Sequence, residues 1–154
     1  MNNIEKIYNC FLNCNSVSID SREIIKDSLF FSLKGENFNG NYYAKDALEK
    51  GCKYAIVDEE KFAVDDRFIL VDNVLLTLQN LATLHRLKMN PTVIGITGSN
   101  GKTTTKELIH QVIREKYNTL ATKKNYNNHI GVPLSLLEIK QHHEFAIIEM
   151  GANH

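Results

Sequence analysis

Apolar residues recur along the chain either at the spacing of an amphipathic helix or as short runs that are typical of buried strands. The helical spacing predicts helices over residues 3–13, 42–50 and 131–139, one from Asp72 or Asn73 to near Asn90, and one that opens at Lys102 and carries an apolar face of Leu108, Ile109, Val112 and Ile113. The apolar runs predict strands over residues 16–19, 28–33, 54–57, 68–71, 93–96, 119–121 and 145–148. The alternation of the two predicts an α/β protein.

The dipeptide Asn90-Pro91 is the best domain boundary, because proline ends a helix and a new strand begins directly after it. Residues 1–88 are predicted to form a small mixed α/β domain. From residue 91 to residue 154 the order strand, loop, helix, strand is typical of the start of a parallel sheet.

Composition indicates a soluble globular protein that acts on a small molecule. The 154 residues are 43% hydrophobic and 23% charged, which excludes disorder. Basic and acidic residues number 18 each, so no basic excess indicates nucleic acid.

No apolar run approaches the roughly 20 residues that span a bilayer, and the N-terminus lacks the pattern of a secretion signal. We therefore expect a cytoplasmic protein without membrane insertion. Cys10, Cys14 and Cys52 show no paired metal-ligand spacing and are expected to stay thiols in a reducing compartment. Cys10 and Cys14 share a helical face and are expected to be core residues rather than ligands.

The segment TVIGITGSNGKTTTKE, residues 92–107, predicts a phosphate-binding loop between a strand and a helix. Gly98 and Gly101 would let the backbone wrap closely around phosphate oxygens, and the start of a helix favours an anion. Lys102 adds an ammonium, and Thr103 adds a hydroxyl that can ligate Mg²⁺. The most common pattern would have another glycine at Ile96, so the loop is a variant form.

Other polar segments also follow predicted strands. Asp20-Ser21-Arg22 is either an ordinary turn or a clamp for an anion or a sugar, and Lys34-Gly35 opens an Asn/Gly-rich turn or binding loop. Asn125, Asn127 and Asn128 follow the second strand of the predicted parallel sheet, at the edge where ligands bind in such folds.

Glu149 ends the last apolar run. An apolar strand that ends in a carboxylate is how phosphate-loop proteins place a second Mg²⁺ ligand, so Mg²⁺ would bridge ATP oxygens between Thr103 and Glu149.

These segments resemble the Mur ligases. The motifs TGSNGKTTTKE, NYNNHIGVPLSLL and IIEMGAN are similar to the central ATP-binding domain of that family, in the branch that adds D-alanyl-D-alanine. SIDSRE, LFFSLKGENFNGNYYAKDAL and GCKYAIVD are similar to its N-terminal UDP-sugar-binding domain, so the likeness covers nearly the whole chain. The phosphate loop alone is shared by all Mur ligases and by folylpolyglutamate synthase.

The resemblance implies a peptide ligase of peptidoglycan precursor synthesis with ATP and Mg²⁺ as cofactors. ATP would phosphorylate the terminal carboxylate of UDP-MurNAc-tripeptide, and the amine of D-alanyl-D-alanine would attack the acyl phosphate. Lys102 and Glu149 would be catalytic, with Thr103 and Glu149 as metal ligands. The implied ATP-binding residues are Gly98, Ser99, Asn100, Gly101, Lys102, Thr103 and Thr104. The implied substrate-binding residues are Ser21, Arg22, Lys34, Gly35, Asn125, Asn127 and Asn128.

The sequence departs from the family in two places. Asn39-Gly40-Asn41 replaces the usual Asp-Gly-His, and the chain stops at His154, before the family's further metal-site groups and third domain. We therefore expect the N-terminal portion of a monomeric ligase, without turnover by itself. The alternatives are a UDP-sugar-binding module without catalysis, or another phosphate-loop ligase, kinase or hydrolase.

Overall fold

The computed structural model describes residues 3–123 and 125–151, which form short helices and strands in alternation. Lys124 and residues 152–154, which include the end of the IIEMGAN motif, lie outside the described residues. In chain order the elements are α1 (Asn3–Leu12), β1 (Val17–Ser18), β2 (Leu29–Phe31), β3 (Lys34–Gly35), β4 (Phe38–Asn39), α2 (Ala44–Glu49), β5 (Tyr54–Val57), β6 (Phe68–Leu70), α3 (Val74–Met89), β7 (Thr92–Ile96), α4 (Lys102–Ile113), β8 (Thr119–Ala121), α5 (Gly131–Leu137) and β9 (Phe145–Glu149).

Contacts between Cα atoms divide the chain into two compact units, residues 1–81 and 82–154. This division falls inside α3. The helix ends at Met89, and Asn90 then takes a left-handed backbone conformation (φ 51°), which asparagine tolerates better than most residues. The predicted domains, residues 1–88 and 91–154, stay a prediction.

The first unit is built on a four-stranded parallel sheet in the order β1-β2-β5-β6. All three residues of β2 are buried, as expected for a parallel strand covered on both faces. Phe30 packs in a core cluster with residues of α2 and β5. The predicted α/β fold class is confirmed.

The segment after β2 contains more structure than the turn or binding loop that the sequence predicted. Strands β3 and β4 pair antiparallel, with Lys34 opposite Asn39 and Gly35 opposite Phe38. A 3₁₀ turn over Gly40–Tyr43 then precedes α2, so the helix predicted from residue 42 begins two positions late. Gly40 lies so close to Leu33 that a Cβ would stand 2.4 Å from the Leu33 carbonyl oxygen, which explains the glycine.

The second unit contains a three-stranded parallel sheet in the order β7-β9-β8, so the last strand of the chain lies in the middle. The carboxyl ends of parallel strands meet at one edge of a sheet. Three segments therefore converge there: the glycine-rich loop after β7, the asparagine-rich segment after β8, and Glu149 at the end of β9.

Helix α4 does not bury the apolar face that the sequence predicted. Leu108 and Val112 are 64% and 74% exposed, while Ile109 and Ile113 are partly buried. Lys106 is buried instead, because its ammonium reaches a backbone carbonyl beyond the end of β8.

Helix α3 buries Val74, Leu78 and Leu81, and the Asn73 side chain caps the helix by accepting from the Leu76 N–H at 2.8 Å. His85 is buried, and its Nε2 lies 2.8 Å from the Ile139 carbonyl oxygen. No helix in the described part of the chain is long and apolar enough to cross a membrane.

Candidate nucleotide and substrate sites

The glycine-rich loop needs its two glycines for their backbone conformation. Gly98 and Gly101 have φ values of 147° and 76°, in the region that side chains disfavour. Helix α4 begins at Lys102, and Gly101 at its N-cap has no side chain with which to cap the first N–H groups. Those groups and the helix dipole favour an anion at this end.

Lys102 folds back over this loop. Its Nζ donates to the carbonyl oxygen of Gly98 at 2.6 Å, which holds the ammonium next to the start of α4. The loop therefore combines uncapped backbone N–H groups with a positive charge, the combination that binds phosphate groups.

Glu149 is the buried acidic group of this edge, with 2% of its surface exposed. The Thr103 hydroxyl donates to one carboxylate oxygen at 3.1 Å, and the Asn127 amide donates to the other at 2.9 Å. The carboxylate is thus held between the start of α4 and the segment after β8.

The backbone of Glu149 is also fixed. Its N–H donates to the Thr122 hydroxyl oxygen at 3.0 Å, and the Lys106 ammonium donates to the Thr122 carbonyl oxygen at 2.7 Å. Neither Lys106 nor Thr122 was predicted from the sequence to be a site residue. One available signal was the four-residue spacing of Lys102 and Lys106, which places both lysines on one helix face.

The groups around Glu149 suit Mg²⁺ held together with phosphate oxygens. Thr103 and Glu149 offer a hydroxyl and a carboxylate, and Mg²⁺ is usually bound by one or two carboxylates plus substrate phosphates. Residues 3–123 and 125–151 contain no cluster of three or more His, Cys, Asp or Glu side chains that could hold a metal ion by themselves.

The other asparagines of this segment are arranged differently. Asn128 uses its side-chain oxygen to accept from the N–H groups of Ile130 and Gly131, at 3.0 and 2.7 Å, and so supports the start of α5. Asn125 is exposed. The structure thus brings Asn127, but not all three asparagine side chains, to the carboxylate.

The first unit carries two neighbouring cavities of about 390 and 420 Å³, a size that suits small ligands. Ser21 and Arg22 line the smaller cavity, and Lys34 and Gly35 line the larger one. Phe38 and Tyr43 line both cavities, and their rings stack with centroids 5.2 Å apart and planes at 14°. This aromatic pair was not predicted from the sequence to be part of a site, although aromatic residues beside the Asn/Gly-rich loop were a signal.

Arg22 and Ser21 are both held in place. The Arg22 guanidinium makes two-pronged hydrogen bonds to Asp20, at 2.9 and 2.6 Å, and these hydrogen bonds lower the pKa of Asp20 to about 2. Lys50 donates to the Ser21 carbonyl oxygen at 2.9 Å. One edge of the guanidinium is therefore occupied, and its remaining donors stay available to a ligand.

Lys34 is paired with two acidic side chains at the larger cavity. Its ammonium lies 2.8 Å from Asp58 and 3.0 Å from Glu59, and both hydrogen bonds raise the pKa of Lys34. Hydrogen bonds from Lys34, Lys61 and Asn39 in turn lower the pKa of Glu59 to about 2. Lys34 therefore brings little net positive charge to this cavity.

Comparison with known proteins identifies the family. Residues 13–86 match the model of the Mur ligase family, catalytic domain, and residues 96–154 match that of the Mur ligase middle domain. Among similar proteins are UDP-N-acetylmuramoyl-tripeptide–D-alanyl-D-alanine ligases. That of Bacillus subtilis is 41% identical over 89% of this chain and 30% of its own length, and that of Haemophilus influenzae is 38% identical over 90% and 31%.

The chain belongs to the Mur ligase family. It spans about a third of the length of the curated relatives it matches.

Solved structures of Mur ligases agree with this assignment. A crystal structure of MurF from Acinetobacter baumannii superposes with a TM-score of 0.84 at 31% identity, over 98% of this chain and 36% of the other. MurF ligase from Thermotoga maritima in complex with ADP gives 0.82 at 32% identity, over 94% and 33%.

In this Mur ligase chain, Asn41 of the departing segment Asn39-Gly40-Asn41 has a structural role. Asn41 is 1% exposed; its side-chain oxygen accepts from the Asp58 N–H at 3.1 Å, and its NH₂ group donates to the Asp58 carboxylate at 2.8 Å and to Asn39 at 2.9 Å. Asn41 thus holds Asp58, which in turn pairs with Lys34. The roles assigned from sequence to the ATP, metal and substrate residues stay predictions.

Proposed function

We propose that this chain forms the UDP-sugar-binding and nucleotide-binding part of an ATP-dependent ligase that joins D-alanyl-D-alanine to UDP-MurNAc-tripeptide. The proposed reaction belongs to cytoplasmic peptidoglycan precursor synthesis. The supporting relatives carry that activity in their names, and the chain corresponds to about a third of their length.

One observation carries the proposal: the Thr103 hydroxyl and the Glu149 carboxylate are in contact at 3.1 Å, directly beside the glycine-rich loop that Lys102 crosses. The two residues are 46 positions apart in sequence, yet they meet where a bound nucleotide would present its phosphates to a metal ion. A binding module with no nucleotide chemistry has no need of this arrangement.

In this mechanism the loop binds and orients ATP. The backbone N–H groups of Gly98 to Thr104 hold phosphate oxygens, and Lys102 leaves the Gly98 carbonyl to contact them. Thr103 and Glu149 would hold Mg²⁺, which when bound neutralises charge on the phosphate oxygens. Asn127 keeps the Glu149 carboxylate in place.

The reaction itself balances as two transfers. A carboxylate oxygen of the tripeptide attacks the γ-phosphorus of ATP, and the bond to the β-phosphate oxygen breaks to release ADP. The amine of D-alanyl-D-alanine then attacks the acyl carbon, phosphate leaves with the electrons of the carbon–oxygen bond, and the amine loses a proton.

The first unit would bind the UDP part of the sugar substrate. Arg22, held by Asp20, offers its remaining guanidinium donors to the diphosphate, and the exposed Phe38–Tyr43 stack offers a surface on which a heteroaromatic base can pack. Asn125, Asn127 and Asn128 were predicted to face the same substrate, and that role also remains a proposal.

Calorimetric titration with UDP-MurNAc-tripeptide and, separately, with Mg·ADP tests the proposal. We expect Lys102→Ala to weaken Mg·ADP binding by about 10- to 100-fold, because a hydrogen bond to a charged group contributes about 1.5–3 kcal/mol, and to leave UDP-sugar binding unchanged. Phe38→Ala should weaken UDP-sugar binding and leave Mg·ADP binding unchanged, because Phe38 lines both cavities described in the first unit.

Two results would contradict parts of the proposal. Mg·ADP binding without UDP-sugar binding would favour a generic phosphate-loop enzyme. UDP-sugar binding without Mg·ADP binding would favour the alternative of a sugar-nucleotide-binding module. Lys116→Ala, on an exposed residue after α4, is the control for simple loss of positive charge.

A further inference from the structure

Lys106 is the most completely buried basic side chain among the described residues, with 2% of its surface exposed, and the mechanism above does not use it. Burying an ammonium costs several kcal/mol unless its hydrogen bonds are satisfied. Its bonds go to the Thr122 carbonyl oxygen at 2.7 Å and to the carboxylate of its exposed neighbour Glu107 at 3.0 Å. An apolar side chain would seat α4 on the sheet without that cost.

The partner of Lys106 lies next to the proposed metal ligand. Thr122 is 3% exposed, and its hydroxyl oxygen accepts from the Glu149 N–H at 3.0 Å while its own N–H donates to the Ile147 carbonyl at 2.9 Å. Thr122 therefore joins the end of β8 to the end of β9. The bond from Lys106 joins both strand ends to α4.

The same helix also reaches Glu149 by a second route. Thr103 lies one turn before Lys106 on α4 and donates to the Glu149 carboxylate. The helix thus holds the side chain of Glu149 through Thr103 and its backbone through Lys106 and Thr122. Together the two routes fix where the carboxylate stands relative to the loop.

We propose that Lys106 and Thr122 are positioning residues that hold Glu149 in the geometry required for Mg²⁺, and through it for the nucleotide phosphates. This inference rests on the proposed nucleotide-binding function. Groups that hold a metal ligand in place typically contribute 10- to 100-fold to metal affinity without touching the metal.

The test compares ADP binding with Mg²⁺ and with EDTA, by calorimetry on this chain. Lys106→Met keeps the apolar stem and removes the ammonium, and Thr122→Val removes the hydroxyl at nearly constant shape. In both variants we expect the enhancement of ADP binding by Mg²⁺ to fall by about 10- to 100-fold, while ADP affinity in EDTA stays unchanged. A purely structural role would lower both affinities together.

Matched control variants change neighbouring groups but keep the hydrogen bond from Lys106 to Thr122 and the hydrogen bond from the Glu149 N–H to the Thr122 hydroxyl. Glu107→Gln removes the negative charge of the exposed partner of Lys106, and Thr122→Ser keeps the hydroxyl, so both should retain the parent Mg²⁺ enhancement. In the double variant Lys106→Met/Thr122→Val, the Mg²⁺ enhancement of ADP binding should fall no further than in the more affected single variant, because both changes break the same chain of contacts.

An unchanged Mg²⁺ enhancement in Thr122→Val would overturn the inference, even if Lys106→Met failed to fold. Equal losses with Mg²⁺ and with EDTA would also overturn it. If the parent chain bound no ADP under either condition, the proposed nucleotide site would be wrong, and this inference would fall with it. If the parent chain bound ADP and the variants kept the parent Mg²⁺ enhancement, this inference would be rejected while the proposed nucleotide site would stand.

Discussion

Replacing Glu149 by glutamine should separate the fold from the metal site. Glu149 is 2% exposed, and its carboxylate accepts one hydrogen bond from Thr103 and one from Asn127. Each hydrogen bond to a charged group contributes about 1.5–3 kcal/mol, whereas burial of the charge costs several kcal/mol. The two effects nearly cancel in the folded protein.

In Glu149→Gln the cost of burying the charge disappears. The glutamine oxygen can still accept from Asn127, and the Thr103 hydroxyl can turn to accept from the new NH₂ group. We therefore expect the free energy of unfolding to stay within about 1 kcal/mol of the parent value, which corresponds to a change in melting temperature of roughly 2–4 °C.

Nucleotide binding should respond differently, because a neutral amide is a poor ligand for Mg²⁺. We expect the Mg²⁺ enhancement of ADP binding to fall by at least about tenfold, with binding in EDTA unchanged or slightly stronger. Thermal unfolding and calorimetry measure the two quantities, with Glu115→Gln, at an exposed position after α4, as the control. A melting temperature lowered by more than about 10 °C would refute the expectation that the hydrogen bonds to the carboxylate and the cost of burying its charge nearly cancel. Unchanged Mg²⁺ dependence would refute the role of the carboxylate as a ligand.

Two further predictions concern stability. Asn41→Leu leaves the partly buried polar groups of Asp58 without the partners that Asn41 provides, so thermal unfolding should show a loss of about 1–3 kcal/mol or more. Asn37→Leu, at an exposed position between β3 and β4, should change stability by less than about 0.5 kcal/mol. Equal effects of the two substitutions would contradict the structural role of Asn41. Burial lowers the pKa of His85 below its unfolded-state pKa of about 6.5. The contribution of neutral His85 to stability is therefore complete above about pH 6.5 and is lost as the pH falls toward the lower folded-state pKa. Melting temperatures measured across this range should fall less in His85→Gln than in the parent, and parallel pH profiles would show that His85 does not carry the effect.

Local chemistry was readable from the sequence because it depends on residues that are close together along the chain. The strand, glycine-rich loop and helix of residues 92–107 follow from β-prone residues, from glycines at positive φ and from the spacing of Lys102 and Thr103. The helices α1 and α3, seven of the nine described strands and the family were predicted for the same reason.

What the sequence could not determine depends on which strand lies beside which. Only the tertiary structure places β9 between β7 and β8 and so gives Glu149 its hydrogen bonds with Asn127 and Thr122. The proximity of Glu149 to Thr103 was already predicted from the sequence. Packing on that sheet also decides which face of α4 is buried, so Lys106 is enclosed and Leu108 is exposed, against the apolar pattern. Pairing across tens of residues is governed by packing and hydrogen bonds between distant segments, and local spacing carries no record of them.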